Sequence, residues 1–194
     1  MNYDILIAGV GGQGTVLASR LLAASALKAG YFARTSETIG MAQRGGCVVS
    51  HVRIGEEKSS PIIPLGNADL LIGFEPAEAA RSIGRLSKNG KCVVSTRAIM
   101  PVTASLNTAP YDPAPMIEFI QRNAANAILV DGYALAEEAG SVKALNTVLL
   151  GVAVAAGFLP FGKEEIESMI CENVSPKYVE LNKKAFNIGV SYNK

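Results

Sequence analysis

A short apolar run, Tyr3 to Ala8, passes directly into Gly9-Val10-Gly11-Gly12-Gln13-Gly14-Thr15, and an almost uncharged helical stretch from Val16 to Ala29 follows. Strand, glycine turn and helix in that order is the context in which G-x-G-x-x-G has physical meaning. Gly9 permits a tight exit from the strand, Gly11 lets backbone approach a phosphate, and Gly14 lets the helix sit close on the sheet. The helix start offers free N–H donors and the positive end of its dipole, a seat for an anion. Two readings stay open. Gly9, Gly11, Gly12, Gln13, Gly14 and Thr15 form a phosphate loop, or the turn closes a βα unit and binds nothing.

The stretch after this first helix predicts a second strand at Tyr31-Phe32-Ala33-Arg34-Thr35, beyond Gly30. A βαβ unit of this kind implies parallel neighbours and a right-handed crossover. Ser36 to Arg44 reads as an irregular polar loop leading into Gly45-Gly46, placed where open α/β sheets bind ligands. Cys47 to Ile54 alternates as a strand, with Val48, Ser50, Val52 and Ile54 on one face and Val49, His51 and Arg53 on the other. With the turn Gly55 to Lys58 and the edge piece Ser60 to Pro64, it predicts a hairpin inserted into the wound pattern. Further strands are expected at Asp69–Phe74, Lys91–Ser95 after an Asn89-Gly90 turn, and Ala127–Asp131. Thr96 to Pro110 reads as loop with a short strand. Helices follow Glu75-Pro76, span Pro113–Asn123 with Met116, Ile117 and Ile120 inward, and run from about Tyr133 to Ala139.

The last quarter predicts three helices, Ala144–Ala156, Lys163–Glu172 and Pro176 to about Ile188, the third capped by Ser175. The first of them lacks a polar face, so it must be enclosed on more than one side. Gly151, Ala153, Ala155, Ala156 and Gly157 permit close packing there, on the sheet or on another chain. The expected fold is therefore α/β: a doubly wound, Rossmann-like, mostly parallel sheet with an inserted β-hairpin and a helical C-terminal quarter. It is expected as a single domain over 1–194.

Composition removes several function classes. Net charge is +1, with no run of basic residues, so no electrostatic footprint for nucleic acid exists. Hydrophobic residues make up 49% and charged residues 18%, the latter below the roughly 25% usual for soluble domains. The excess apolar surface hints at a permanent partner; a helix-rich alanine and leucine core is the competing explanation. No targeting segment is visible, and the long uncharged run Ala144–Gly162 is broken by Asn146, Gly151 and Pro160, short of the ~20 apolar residues that span a bilayer. A soluble, cytoplasmic protein with no membrane contact is expected. Cys47, Cys92 and Cys171 are isolated, with no C-x-x-C, so this chain alone builds neither a zinc site nor an iron–sulfur cluster.

His51 is the single histidine and sits mid-strand, with Ser50 pointing to the opposite face, so no Ser–His pair forms there. A structural role is expected of it. A nicotinamide dehydrogenase would place an acid at the end of the second strand; here Arg34-Thr35 stand there and Glu37 follows. Arg34 suits a 2′-phosphate, which keeps a stand-alone NADP- or coenzyme A-binding protein as an alternative. Little chain remains, however, to hold a substrate.

Two stretches carry a resemblance to a family. The glycine loop followed by Ser36-Glu37-Thr38-Ile39-Gly40-Met41-Ala42-Gln43-Arg44-Gly45-Gly46, then Val48 to Gly55, closely resembles the gamma-type domain of the 2-oxoacid:ferredoxin oxidoreductases, above all its indolepyruvate branch. The similarity continues through Ala68 to Leu71, Glu75-Pro76, Asn146-Thr147, Leu150-Gly151 and Lys183 to Phe186. Cys47 departs from the serine expected at that place. The resemblance implies an accessory subunit without cofactors of its own. Thiamine diphosphate, Mg and 4Fe–4S clusters would belong to a larger partner subunit, ferredoxin would dock through the complex, and CoA would be a co-substrate. It also implies that Ser36, Glu37, Met41, Gln43, Arg44 and Gly45 form a partner-facing or active-site rim. From the residues themselves, the loop N–H groups with Arg44 could instead take the phosphates of CoA.

Overall fold

A computed structural model describes residues 1–40, 45–55, 60–100 and 111–192. Its six-stranded sheet is built from β1 (Tyr3–Val10), β2 (Phe32–Ile39), β3 (Cys47–Gly55), β4 (Ala68–Gly73), β5 (Leu86–Ser95) and β6 (Asn126–Val130), in the order β2-β3-β1-β4-β5-β6. The pairs β1–β4, β4–β5 and β5–β6 are parallel, while β3 runs antiparallel to both β1 and β2. Strand β3 alone is reversed, so the sheet is mixed and mostly parallel.

Alternation along β1 explains the layers. Ile5 and Ile7 face a core shared with α1 (Thr15–Lys28), α4 (Gly132–Ala139), α5 (Leu145–Ala155), α6 (Lys163–Asn173) and α7 (Pro176–Val190). Leu6 and Ala8 face a smaller core under α2 (Pro76–Ser82) and α3 (Ala114–Asn123). The sheet is thus covered on both faces, which is why β4 and the end of β5 are apolar on both sides. Ile120 is fully buried in α3, with Met116 and Ile117 half-buried beside it. Among the described residues no helix is long and apolar enough to cross a membrane.

The hairpin differs from expectation. Strand β2 continues through Ser36 and Glu37 to Ile39 rather than ending at Thr35, because β3 supplies a complete antiparallel partner, Phe32↔Gly55 through Ile39↔Val48. Polar residues are tolerated there because β2 is an edge strand. Consequently β1 and β2 point the same way but are not neighbours; β3 lies between them, and the expected adjacent parallel pair does not form. The inserted hairpin is β2–β3, not β3 with Ser60–Pro64, which is no strand. Pro61 and Pro64 have no N–H to donate to a ladder. The Ile63 N–H instead donates to His51 Nδ1 at 3.2 Å. The expected turn at Asn89-Gly90 is absorbed into β5, where the register with β4 shifts between Ala68 and Leu70. Of the stretch Thr96–Pro110, where loop and a short strand are expected, 96–100 is not strand and 101–110 lies outside the described residues.

Helix α5 is buried along Leu145–Ala153, as its apolar circumference requires, and it packs on α7 inside this chain. The closeness is extreme at Gly151 and Gly189: a Cβ on Gly189 would fall inside contact of the Val148 carbonyl, and one on Gly151 inside contact of the Phe186 carbonyl. Ser175 sits at the N-cap of α7, but its side chain makes no capping bond. Near the start of β1, at the opposite end from the glycine turn, Arg53 grips Asp4 through Nε (3.1 Å) and a second nitrogen (2.9 Å), and donates onward to the Ser60 and Ile62 carbonyls.

Candidate functional site: the glycine loop and the β1–β4 crevice

Helix α1 covers one face of the sheet and α2 the other, so the chain changes sides between β1 and β4. The crevice beyond the carboxyl ends of those strands is the place where open α/β sheets hold ligands. The glycine loop lies at it, and the Gln13 side chain occupies its α4 side. The Gln13 side chain folds back, its Oε1 accepting the Val10 N–H at 2.7 Å. Its Nε2 donates to the Phe74 carbonyl at 3.0 Å and to the Tyr133 hydroxyl at 2.9 Å. One buried amide therefore ties the end of β1 to the end of β4 and to α4. Gly9 leaves the space that this amide occupies, since a Cβ there would stand 2.6 Å from Gln13 Oε1.

Gly14 has a role other than the expected close packing on the sheet. It is the N-cap of α1 at φ 85°, a left-handed conformation that glycine adopts freely, and it abuts Asn146 of α5. Thr15, buried, opens the helix. Gly12, also at positive φ, has open space around it. The Gly11 N–H donates to the Gly46 carbonyl at 2.8 Å, and the Gly45 N–H returns to the Gly11 carbonyl at 3.4 Å. Gly11 thus spends its donor on the Gly45-Gly46 turn.

Of the remaining rim residues, Ser36 and Glu37 do not share a face. Ser36 lies opposite His51 and Glu37 opposite Ser50, on opposite faces of β2. The Ser19 hydroxyl of α1 donates to Glu37 at 3.1 Å, on the α1 side. Met41, Gln43 and Arg44 lie outside the described residues. His51 is buried, and desolvation, with Arg85 and Arg53 nearby, pushes its pKa down to about 4; it is neutral at pH 7 and holds Ile63.

A second group at the crevice was not singled out from the sequence. Glu75 and Glu78 are both buried at the start of α2. Glu75 Oε2 accepts the Glu78 N–H at 2.9 Å, closing the helix N-terminus, while Glu78 Oε1 pairs with Arg81. Burial holds the Glu75 carboxyl above the usual carboxylate range. Cys47 lies beside Glu78, and burial, then the Glu78 carboxylate, pushes its thiol up to about 11, so it stays protonated. The signal available in advance was two carboxylates three residues apart on the first turn after a buried strand.

The three cysteines sit on β3, β5 and α6, and no group of three or more His, Cys, Asp or Glu able to hold a metal exists among the described residues. The residues present do not fit an iron–sulfur cluster.

Fold and crevice define a doubly wound α/β chain whose crevice is occupied on its α4 side by its own glutamine. The family model for pyruvate ferredoxin/flavodoxin oxidoreductase matches residues 4–192, and the chain belongs to that family. It is 42% identical over 190 residues to the indolepyruvate oxidoreductase subunit IorB of Archaeoglobus fulgidus, covering 97% of this chain and 94% of that protein. Among solved structures, the gamma subunit of keto/oxoacid ferredoxin oxidoreductase from Geobacter sulfurreducens superposes with a TM-score of 0.69 at 27% identity, over 96% of this chain and 95% of that one. The 2-oxoglutarate:ferredoxin oxidoreductase of Magnetococcus marinus shares the fold at 17% identity and a TM-score of 0.72, this chain spanning 30% of the larger one. The chain is a small subunit of a 2-oxoacid:ferredoxin oxidoreductase, similar to the IorB subunits.

Proposed function

We propose that this chain is the accessory subunit of a thiamine diphosphate-dependent 2-oxoacid:ferredoxin oxidoreductase, acting on an aryl pyruvate such as indolepyruvate. The complete enzyme takes the 2-oxoacid and CoA to an acyl-CoA and CO2, and passes the electrons through 4Fe–4S clusters to ferredoxin. Thiamine diphosphate, Mg and the clusters reside on a large partner subunit, and this chain contributes shape and contact surface. The observation that carries the reading is the near full-length similarity to IorB. The dispersed cysteines support placing the clusters elsewhere. The rim of Ser36, Glu37, Met41, Gln43, Arg44 and Gly45 packs on the large subunit, with Arg44 pairing a carboxylate there. That the Gly11 N–H is already taken by Gly46, and the loop interior by Gln13, supports this contact role over a phosphate seat for CoA.

The test is reconstitution. The isolated chain turns over no 2-oxoacid with methyl viologen, and activity appears when the large subunit is added. Turnover by the chain alone refutes the proposal. Within the complex, Arg44→Ala weakens assembly and leaves the KM for CoA unchanged; a raised KM with intact assembly restores the phosphate seat.

A further inference from the structure

At the carboxyl ends of β1 and β4 a cavity of about 210 Å³ is lined by Val10, Gly45, Cys47, Glu75, Glu78 and Arg81, among others. Glu75 is 1% exposed and Glu78 5%. Each carboxylate has one oxygen satisfied within the chain, Glu75 Oε2 by the Glu78 N–H and Glu78 Oε1 by Arg81. The other two, Glu75 Oε1 and Glu78 Oε2, are buried without a hydrogen-bond partner. The Tyr111 hydroxyl and the Ile99 and Ala77 N–H groups approach Glu75, and the Cys47 thiol approaches Glu78, closely enough to act on their charge, yet none of them closes Glu75 Oε1 or Glu78 Oε2 with hydrogen-bond geometry. Buried carboxylate oxygens left open are costly, and proteins keep them where something fills them.

The size of the cavity selects the occupant. Small-molecule sites run to roughly 300–1,000 Å³, so this space is too small for a nucleotide or a coenzyme and suits one inserted side chain. Its charge selects the chemistry. Two carboxylates are answered by one cation, Arg81, whose own side chain is 63% exposed. The Cys47 thiol and the Tyr111 phenol, both shifted upward by burial first, are uncharged at neutral pH and add no counter-charge. The vacant positions are acceptors only, so the complement is a cationic donor with more than one N–H.

We propose that a lysine or arginine side chain of the large subunit enters this cavity on assembly and pairs with Glu75 Oε1 and Glu78 Oε2. The proposal rests on the reading of this chain as a subunit of a larger enzyme. It makes Glu75 an anchor of the interface: a carboxylate that the isolated chain tolerates at a cost and the complex satisfies.

The experiment measures the dissociation constant of the chain and its large subunit by titration calorimetry at neutral pH, for wild type, Glu75→Gln and the exposed control Glu118→Gln. Glutamine keeps the shape and can still accept the Glu78 N–H. The isolated Glu75→Gln chain is expected to melt at or above the wild-type temperature, because a buried charge has been removed. Its dissociation constant is expected to rise at least about ten-fold, while Glu118→Gln leaves it unchanged. If Glu75→Gln does not fold, Glu78→Gln carries the same expectation. A wild-type complex with a variant affinity within about two-fold of it overturns the proposal alone. No wild-type complex at all overturns the subunit reading and the proposal with it.

Discussion

Replacing Gln13 by alanine removes the amide that joins β1, β4 and α4. The Val10 N–H loses its acceptor at 2.7 Å, and the Phe74 carbonyl and the Tyr133 hydroxyl lose their shared donor at 3.0 and 2.9 Å. Val10 and Phe74 are buried, so water reaches neither readily. A buried group left without a partner costs ~1–3 kcal/mol, and the Tyr133 bond adds about 1 kcal/mol at most. The expected loss is about 3 kcal/mol, a sizeable part of the ~5–15 kcal/mol that holds a domain together. For a chain of this length that lowers Tm by roughly 6–12 °C. Calorimetry of the isolated chain measures it. Gln13→Glu is the companion variant: it keeps an acceptor for Val10 but turns an oxygen toward the Phe74 carbonyl, so it should lose at least as much. A Tm within about 2 °C of wild type for Gln13→Ala would refute the argument that this side chain ties β1, β4 and α4 together.

Gly189→Ala forces a methyl group against the Val148 carbonyl and 3.1 Å from the Gly151 Cα, so α5 and α7 must separate. Overpacking of this kind costs ~1–3 kcal/mol, read as a fall in Tm; an unchanged Tm would mean that the two helices slide without penalty. His51, with a folded pKa of about 4 against an ordinary value near 6.5, refuses a proton that the unfolded chain accepts. Stability is therefore unaffected by this group above about pH 6.5 and falls as pH drops from there toward 4, and the His51 ring signals in NMR pass through pH 6.5 unchanged and shift only as pH approaches 4. Ring signals titrating near 6.5 would contradict the buried, neutral assignment. Arg53→Leu removes both bonds from Arg53 to Asp4, whose side chain is 8% exposed, and should cost about 3 kcal/mol; chemical denaturation measures it, and a midpoint equal to wild type would show the pair to be dispensable.

Local chemistry made part of this molecule legible from its residues. The strand–glycine–helix opening could be read because an apolar run, a glycine cluster and a helical stretch each obey short-range rules. Enclosure of α5 followed from a circumference with no polar side, and the structural part played by His51 followed from strand alternation. The course of β2 was not legible. Ser36 and Glu37 look like loop residues, and they become strand only because β3 returns beside them; backbone pairing between distant segments carries no code in the side chains. The same holds at the crevice. Gln13 reads as one more loop residue until Phe74 and Tyr133, 61 and 120 positions away, present the carbonyl and hydroxyl that its amide bonds. Glu75 and Glu78 read as the ordinary acidic start of a helix until Cys47 and Gly45 arrive from β3 and its preceding turn and wall them in. The residues by themselves determined the opening strand–glycine–helix unit, the buried parallel strands and the C-terminal helices, and to which family the chain is similar. Only the tertiary structure decided where β3 inserts and which polar atoms are left facing a cavity, because both depend on contacts between segments that the chain must fold to bring together.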